Sequence, residues 1–152
     1  MEVIDNMDRR KMIKTTTVAA AAVALGTTGV QAGEHVHQHH HMNPYQDVID
    51  TTSQCIKDGR ACLDHCIMLL KSGDMSMANC TETVTEMLTM CDAMMQMATY
   101  NSTHVAKLAA ICEATCTACE KECAKHEKIH AACAACAKSC RACIKSCHKI
   151  AA

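Results

Sequence analysis

The cysteines of this chain recur with the spacing of one face of an α-helix. Nine of its fourteen cysteines fall within a single 36-residue stretch, where they step by three or four positions with one longer gap. They are Cys112, Cys116, Cys119, Cys123, Cys133, Cys136, Cys140, Cys143 and Cys147. Residues three and four apart lie on the same helix face, and helix bundles place Leu or Ile at such buried positions. We therefore expect helices that bury thiols where others bury aliphatic side chains.

The composition supports a sulfur-rich core. The 152 residues include no Trp, no Phe and two Tyr, but 14 Cys and 12 Met. This length suits one domain with a core of useful size. The net charge is −1 and the body of the chain has no basic cluster, so we expect neither a nucleic-acid partner nor a charged membrane partner. The expected partner is a small ligand.

The first 32 residues have the pattern of a targeting peptide. A charged start is followed by an apolar stretch at 18–25 and a small-residue cleavage site at 30–32. Arg9 and Arg10 resemble the twin-arginine export signal. The apolar stretch is too short to span a bilayer, so we expect no membrane span in the mature chain. The pattern predicts periplasmic export in the folded state, which would protect fourteen thiols from disulfide scrambling.

The mature chain is predicted to be an antiparallel, up-down-up-down four-helix bundle. Residues 33–43 are rich in His and are expected to form a flexible tail. Start and stop signals then place four helices within the domain 44–152. They cover about 44–71, a second helix capped by Asp74 or Ser76 and ending before Asn101, 103–125 and 129–150. Short connections between them favour antiparallel packing.

All fourteen cysteines fit one buried seam per helix. The first helix contributes Cys55, Cys62 and Cys66, and the second contributes Cys80 and Cys91. The remaining nine belong to the third and fourth helices. Four such seams facing one another predict a tube of thiols along the bundle axis. For Cys80, which is isolated in the sequence, the role of a small apolar core residue stays an alternative.

This arrangement indicates copper(I) as the ligand. Thiolates three or four residues apart can close on one soft metal ion. Zinc usually takes four ligands in a closed tetrahedron, whereas continuous helical ladders better supply two- and three-coordinate sites. Many monovalent ions would also neutralise the buried thiolates, whose uncompensated charge would be costly. We predict that all fourteen cysteines bind multiple Cu(I) ions and that the protein is not an enzyme.

Two other classes of function remain open at this point. An exported protein with an even number of cysteines can be a disulfide-stapled structural bundle, and thiolates also suit a zinc or iron–sulfur carrier. Three Cys-x-x-Cys pairs could indicate a redox enzyme, but the βαβ context of such enzymes is missing. Free-thiol counting and metal analysis distinguish these possibilities.

Three cysteine-rich runs carry a resemblance to a known family. The export signal, the His- and Met-containing segment after it, and the runs CIKDGRACLDHC, CEATCTACEKECAKHEK and CAACAKSCRACIKSC together resemble the bacterial copper storage proteins over nearly the whole chain. The resemblance implies a four-helix bundle that binds many Cu(I) ions along a cysteine-lined core. It also implies a homotetramer that holds copper for periplasmic copper enzymes, and it carries the core ligands over to Cys55 through Cys147.

The ligands at the mouth of the tube are less defined, because the second helix is unusually rich in Met. An antiparallel bundle brings the starts of the first and third helices to the ends of the second and fourth. This places Met42, Met94, Met97, His104 and Cys147 near one end, and Met87 is a further candidate mouth ligand. For the methionines, simple core packing is an equal alternative. His65, His126 and His148 are expected on the surface, and the His tail either collects copper or is merely solvated.

Overall fold

The computed structural model describes residues 43–151, and these residues fold into helices joined by short turns. The helices are α1 (Gln46–Lys71), α2 (Ala78–Thr99), α3 (Val105–Ala124) and α4 (Ala131–Ala151), with a single 3₁₀ turn at Met75–Met77 before α2. The predicted bounds of α1, α3 and α4 are met within two residues. The predicted targeting peptide and all but the last residue of the predicted tail lie outside the described residues.

The first two helices end with the same hydrogen-bonding pattern. Gly73 has φ +93°, and the N–H of Asp74 donates to the carbonyl of Leu69 at 3.0 Å. At the end of α2, Asn101 has φ +52°, and the N–H of Ser102 donates to the carbonyl of Met97 at 3.0 Å. This is the Schellman arrangement, in which a left-handed residue lets the chain turn while the last carbonyls find donors.

The turns return each helix antiparallel to the one before it. Each helix packs against two others, in the pairs α1 with α2, α2 with α3, α3 with α4 and α4 with α1. Within the described residues the backbones of the diagonal pairs are not in contact, so the four helices surround a central space in which side chains such as Cys62 and Cys123 meet. The Asn43 amide reinforces one end, because it donates to the carbonyl of Ala98 at 3.0 Å and so links the start of α1 to the end of α2. The predicted up-down-up-down bundle is confirmed.

The core changes character along the bundle axis. At the end where α1 begins it is aliphatic, with Val48, Met94, Ala98 and Val105 all fully buried. The rest is mainly thiols, with all fourteen cysteines at 0 % exposure. Partly buried aliphatic side chains such as Leu63 and Leu88 flank the thiols. No helix in the described part of the chain is long and apolar enough to cross a membrane.

Candidate metal centre

Every helix contributes thiols to the space between the helices. α1 supplies three, α2 two, α3 four and α4 five, and all fourteen are free and buried. The cysteines of each helix share its inward face because they are spaced three or four residues apart, or multiples of this helical repeat. The predicted tube of thiols is therefore present in the fold.

One end of the tube is a four-thiol cluster drawn from three helices. Cys62, Cys66, Cys80 and Cys133 have their Sγ atoms within 4.8 Å of one another. The Sγ atoms of Cys66 and Cys80 are 3.6 Å apart, and those of Cys62 and Cys133 are 3.8 Å apart. Cys80, which is isolated in the sequence, thus lies among thiols.

A second four-thiol cluster lies further along the tube and joins all four helices. Its members are Cys55, Cys91, Cys116 and Cys143. Cys91 and Cys116 approach to 3.6 Å between their Sγ atoms, and Cys116 and Cys143 to 3.5 Å.

Three-thiol clusters continue the tube between and beyond these two. They are Cys62 with Cys123 and Cys136, Cys119 with Cys136 and Cys140, and Cys112 with Cys143 and Cys147. Cys62, Cys136 and Cys143 each belong to two clusters, so the clusters form two overlapping series, and a contact of 3.6 Å between the Sγ atoms of Cys55 and Cys140 joins the two. The thiols form a ladder of overlapping sites and not a set of isolated ones.

The spacing of the sulfur atoms suits a metal of low coordination number. A trigonal ion with metal–sulfur bonds of about 2.3 Å needs its sulfur atoms about 4.0 Å apart. The Sγ contacts along the tube run from 3.4 Å for Cys80 with Cys123 to 4.0 Å for Cys112 with Cys143. Only small side-chain rotations would convert these contacts into metal sites.

The thiols of Cys66 and Cys147, at the two ends of the ladder, are held in the protonated form until a cation arrives. Burial, together with the nearby Cys80, raises the pKa of Cys66 to about 12 from an ordinary value of 9.0. At the opposite end of the ladder, hydrogen bonding with Cys112 and then burial raise the pKa of Cys147 to about 12. A metal ion must therefore displace protons, and a monovalent ion does so without changing the charge of the tube.

The four predicted mouth ligands that the structure describes lie in three different places. Met87 lies inside the tube and not at its mouth, because its Sδ accepts hydrogen bonds from the thiols of Cys55 at 3.4 Å and Cys91 at 3.6 Å. Met94 is buried in the aliphatic end. Met97 is 38 % exposed and His104 is exposed, both near the connection of α2 to α3. Met42 lies outside the described residues.

The structure also reveals a histidine cluster that the sequence analysis missed. His65 and His126 are half-buried rather than on the surface, although His148 is exposed as expected. The ring centroids of His65 and His130 lie 4.8 Å apart, and those of His126 and His130 lie 6.3 Å apart. His65 Nε2 is shielded from solvent and has no hydrogen-bond partner among the described residues. We call His65, His126 and His130 the histidine cluster, which lies at the same end of the tube as Cys66 and Cys133.

A sequence signal for this cluster exists. The one long gap in the cysteine ladder runs from Cys123 to Cys133, and His126 and His130 divide it into steps of three, four and three residues. The ladder of soft and borderline ligands therefore continues through the turn between α3 and α4 without a break.

Solved structures with this fold are known. The chain is similar to apo copper storage protein 3 from Bacillus subtilis, with 28% identity, a TM-score of 0.61, and coverage of 70% of this chain and 97% of that one. It is also similar to a Cu(I)-bound copper storage protein, with 29% identity, a TM-score of 0.64, and coverage of 71% and 99%. Copper storage is a binding function and not a catalytic one.

A third structure corrects the predicted location. It is a cytosolic copper storage protein from Streptomyces lividans with five coppers, at 24% identity and a TM-score of 0.64, covering 70% of this chain and 91% of that one. The prediction of periplasmic export is wrong on this comparison, because a protein of the same fold is cytosolic. Shielding thiols from disulfide formation therefore does not require export in the folded state, since a reducing cytosol protects them directly.

The sequence match extends over the whole described bundle. Comparison with curated protein sequences finds no match. The profile of the copper storage proteins, by contrast, matches residues 41–152, well over half of the chain. With its thiol-lined bundle and its likeness to a Cu(I)-bound structure, the chain belongs to the copper storage protein family and stores Cu(I), several ions per chain.

Proposed function

We propose that all fourteen core cysteines are copper ligands and that the bundle 44–152 is a high-capacity Cu(I) store. The observation that carries this proposal is the continuity of the five thiol clusters, which contain all fourteen cysteines and are joined by shared members or by the 3.6 Å contact of Cys55 with Cys140. Soft thiolates favour Cu(I), and sulfur spacings of 3.4–4.0 Å are close to those that a three-coordinate ion requires.

The charge of the tube supports a large number of ions. Each Cu(I) that replaces a thiol proton leaves the buried charge unchanged, whereas a divalent ion leaves an excess positive charge unless two protons depart. The stored copper would be available to copper-requiring enzymes, which receive it when a stronger or more accessible ligand draws ions from the tube.

We propose that copper reaches the thiols through the histidine cluster. His65 directly precedes Cys66, and His130 lies three residues before Cys133, so imidazoles adjoin the first thiol cluster. At the opposite end an ion would have to cross the aliphatic layer that includes Val48 and Val105. Imidazole binds copper less tightly than a pair of thiolates, which suits ions in transit.

The methionine end is a second candidate mouth. There we propose that Met42, Met97 and His104 bind copper outside the thiols, with the His-rich segment 33–43 delivering ions to them. The fully buried Met94 belongs to the aliphatic layer and is not a ligand of this route. This route requires the aliphatic layer to open, so it is expected to be slower than the histidine route.

We also propose that the chain assembles as a homotetramer. The support is the family resemblance together with apolar side chains that remain exposed on the bundle, among them Ile67, Met68 and Ile111. Light scattering of the purified full chain would measure the mass directly. A monomer at all concentrations would contradict this proposal without affecting copper storage.

The test of storage is an anaerobic titration of the fully reduced protein with Cu(I) in the presence of a chromogenic chelator. We expect stoichiometric uptake of many ions per chain before the chelator becomes coloured. Uptake of only one or two ions would overturn the proposal and favour a disulfide-stapled bundle, a zinc site or a single cluster. Metal analysis of the protein as isolated provides the control for prior occupancy.

A further inference from the structure

α2 carries fewer thiols than the other helices, and a methionine lies where its ladder is interrupted. Cys80 and Cys91 are separated by eleven positions, and Val84 and Met87 occupy the intervening seam. Met87 is fully buried. It therefore lies among the thiols of the tube, at a seam position where α2 has no cysteine.

The sulfur of Met87 stands at ligand distance from two thiols. Its Sδ is 3.4 Å from the Sγ of Cys55 and 3.6 Å from the Sγ of Cys91. These separations fall in the same range as the thiol–thiol contacts of the tube. The group Cys55, Cys91, Cys116 and Cys143 therefore contains a fifth sulfur atom.

A glycine on the facing helix makes room for this side chain. A Cβ atom at Gly59 would lie 2.6 Å from the Cε of Met87 and 3.0 Å from the Cδ2 of Leu88. Glycine in the interior of a helix is less stable than alanine, so its presence in the middle of α1 needs a local reason. The reason here is the position of the Met87 methyl group, and thus of its sulfur.

We propose that Met87 is an internal copper ligand, which completes a three-coordinate Cu(I) site with the thiolates of Cys55 and Cys91, and that Gly59 is its positioning residue. The thioether is a soft ligand. Because it carries no charge, it raises the coordination number without adding a buried negative charge. This inference rests on the proposed binding of copper by the core thiols and adds a ligand of a different type in the middle of the tube.

The expected consequence is a site that differs from its neighbours in strength. A thioether releases Cu(I) more readily than a thiolate does, so this level of the tube exchanges ions more easily than the all-thiolate levels on either side. Such a site divides the store into two parts and gives ions a weaker position between them.

The test uses the full chain labelled with ¹³C at the methionine methyl groups, in the reduced state and without oxygen. Methyl spectra are recorded as Cu(I) is added, and Met87→Leu and Met94→Leu identify the two resonances. Met94 is the matched control, because it is equally buried on the same seam, and among the described residues no thiol donates to its sulfur. We expect the Met87 methyl resonance to leave its apo position as copper loads, while that of Met94 stays.

Two further measurements complete the test. Gly59→Ala, which removes no sulfur, should diminish the copper-induced shift of the Met87 methyl resonance. In chelator competition, Met87→Leu should release one class of copper at about tenfold lower chelator concentration than the wild type, and Met94→Leu should not. Should a variant not fold, selenium X-ray absorption of the selenomethionine-labelled double variant Met42→Leu/Met97→Leu still reports whether a copper–selenium bond forms inside the tube.

The outcomes separate this inference from storage itself. A wild-type protein that takes up many Cu(I) ions while the Met87 methyl resonance moves no more than that of Met94 would overturn the inference and leave storage intact. A wild-type protein that takes up few ions would overturn storage as well.

Discussion

The Sγ of Cys80 lies 3.4 Å from the Sγ of Cys123, although the two residues are 43 positions apart and belong to α2 and α3. The contact joins Cys80, which has no other cysteine near it in the sequence, to the thiols of α3. Cys80 also meets Cys66 at 3.6 Å, so it connects the thiols of α1 and α3 next to the histidine cluster. These contacts favour a ligand role over that of a small apolar core residue.

Cys80→Ala tests that assignment. Loss of one sulfur from the four-thiol cluster should lower the Cu(I) capacity by one or two ions per chain, measured by chelator competition. The apo protein should lose about 1 kcal/mol of its free energy of unfolding, because only a small cavity is formed. An equal capacity in the variant and the wild type would return Cys80 to the role of a core residue.

The apo bundle should lose stability in alkali. The pKa values of Cys66 and Cys147 are raised to about 12 from an ordinary 9.0. Between pH 9 and pH 12 these two thiols stay protonated in the folded state and lose their protons in the unfolded chain. Their contribution to the free energy of unfolding is therefore fully present below pH 9 and is lost as the pH rises toward 12. Thermal melts by circular dichroism at pH 7, 9 and 11 should show a falling Tm only above pH 9.

Copper loading should remove this alkaline instability, because the loaded thiols carry no proton to lose. The loaded protein measured in the same pH series is the control. An apo Tm that stays constant from pH 9 to 11 would contradict the raised pKa values.

Copper should also stabilise the fold strongly at neutral pH. A ligand present at a thousand times its Kd and bound only by the folded state adds about 4 kcal/mol. We expect the Tm to rise stepwise with the number of ions bound and to return to the apo value after the copper is stripped with a strong chelator. A loaded protein that melts with the apo protein would mean that the ions bind outside the core.

Replacing His65 by Ala should slow copper uptake without changing its final extent. The imidazole lies 4.8 Å, centroid to centroid, from that of His130 beside the first thiol cluster, but it is not one of the fourteen thiols. Stopped-flow mixing with a Cu(I) donor should show a several-fold slower rate. His148→Ala is the matched control, since His148 is exposed and contacts Glu113 on the outside of the bundle. Equal rates in both variants would argue against the histidine route.

Gly73→Ala should destabilise the apo protein by about 1 kcal/mol through the backbone alone. Gly73 has φ +93°, and a Cβ there would meet no atom within 4 Å. The cost therefore comes from the left-handed conformation that ends α1. Urea unfolding measures the change, with Cu(I) capacity as the control that should not move. An unchanged free energy of unfolding in Gly73→Ala would mean that the turn adopts another backbone conformation without cost.

Much of the fold could be predicted from residue spacing. The ends of α1 and α2 follow from Gly73 and Asn101, which favour the left-handed conformation that a Schellman turn requires. The seam of each helix follows from the step of three and four. The histidine cluster was missed because His126 and His130 lie in a turn, where a helical step is not expected to persist. In addition, the contact of His65 with His130 joins residues that are far apart in the sequence.

The sequence by itself determined which residues of each helix share a face, because the pitch of an α-helix holds whatever surrounds it. It thereby determined that thiols line the bundle and that soft metal is the ligand. Only the tertiary structure decided which thiols meet across helices, such as Cys80 with Cys123, and that Met87 lies among them against Gly59. Those contacts depend on the rotation and axial register of four packed helices, which are set by the fit of all their side chains together.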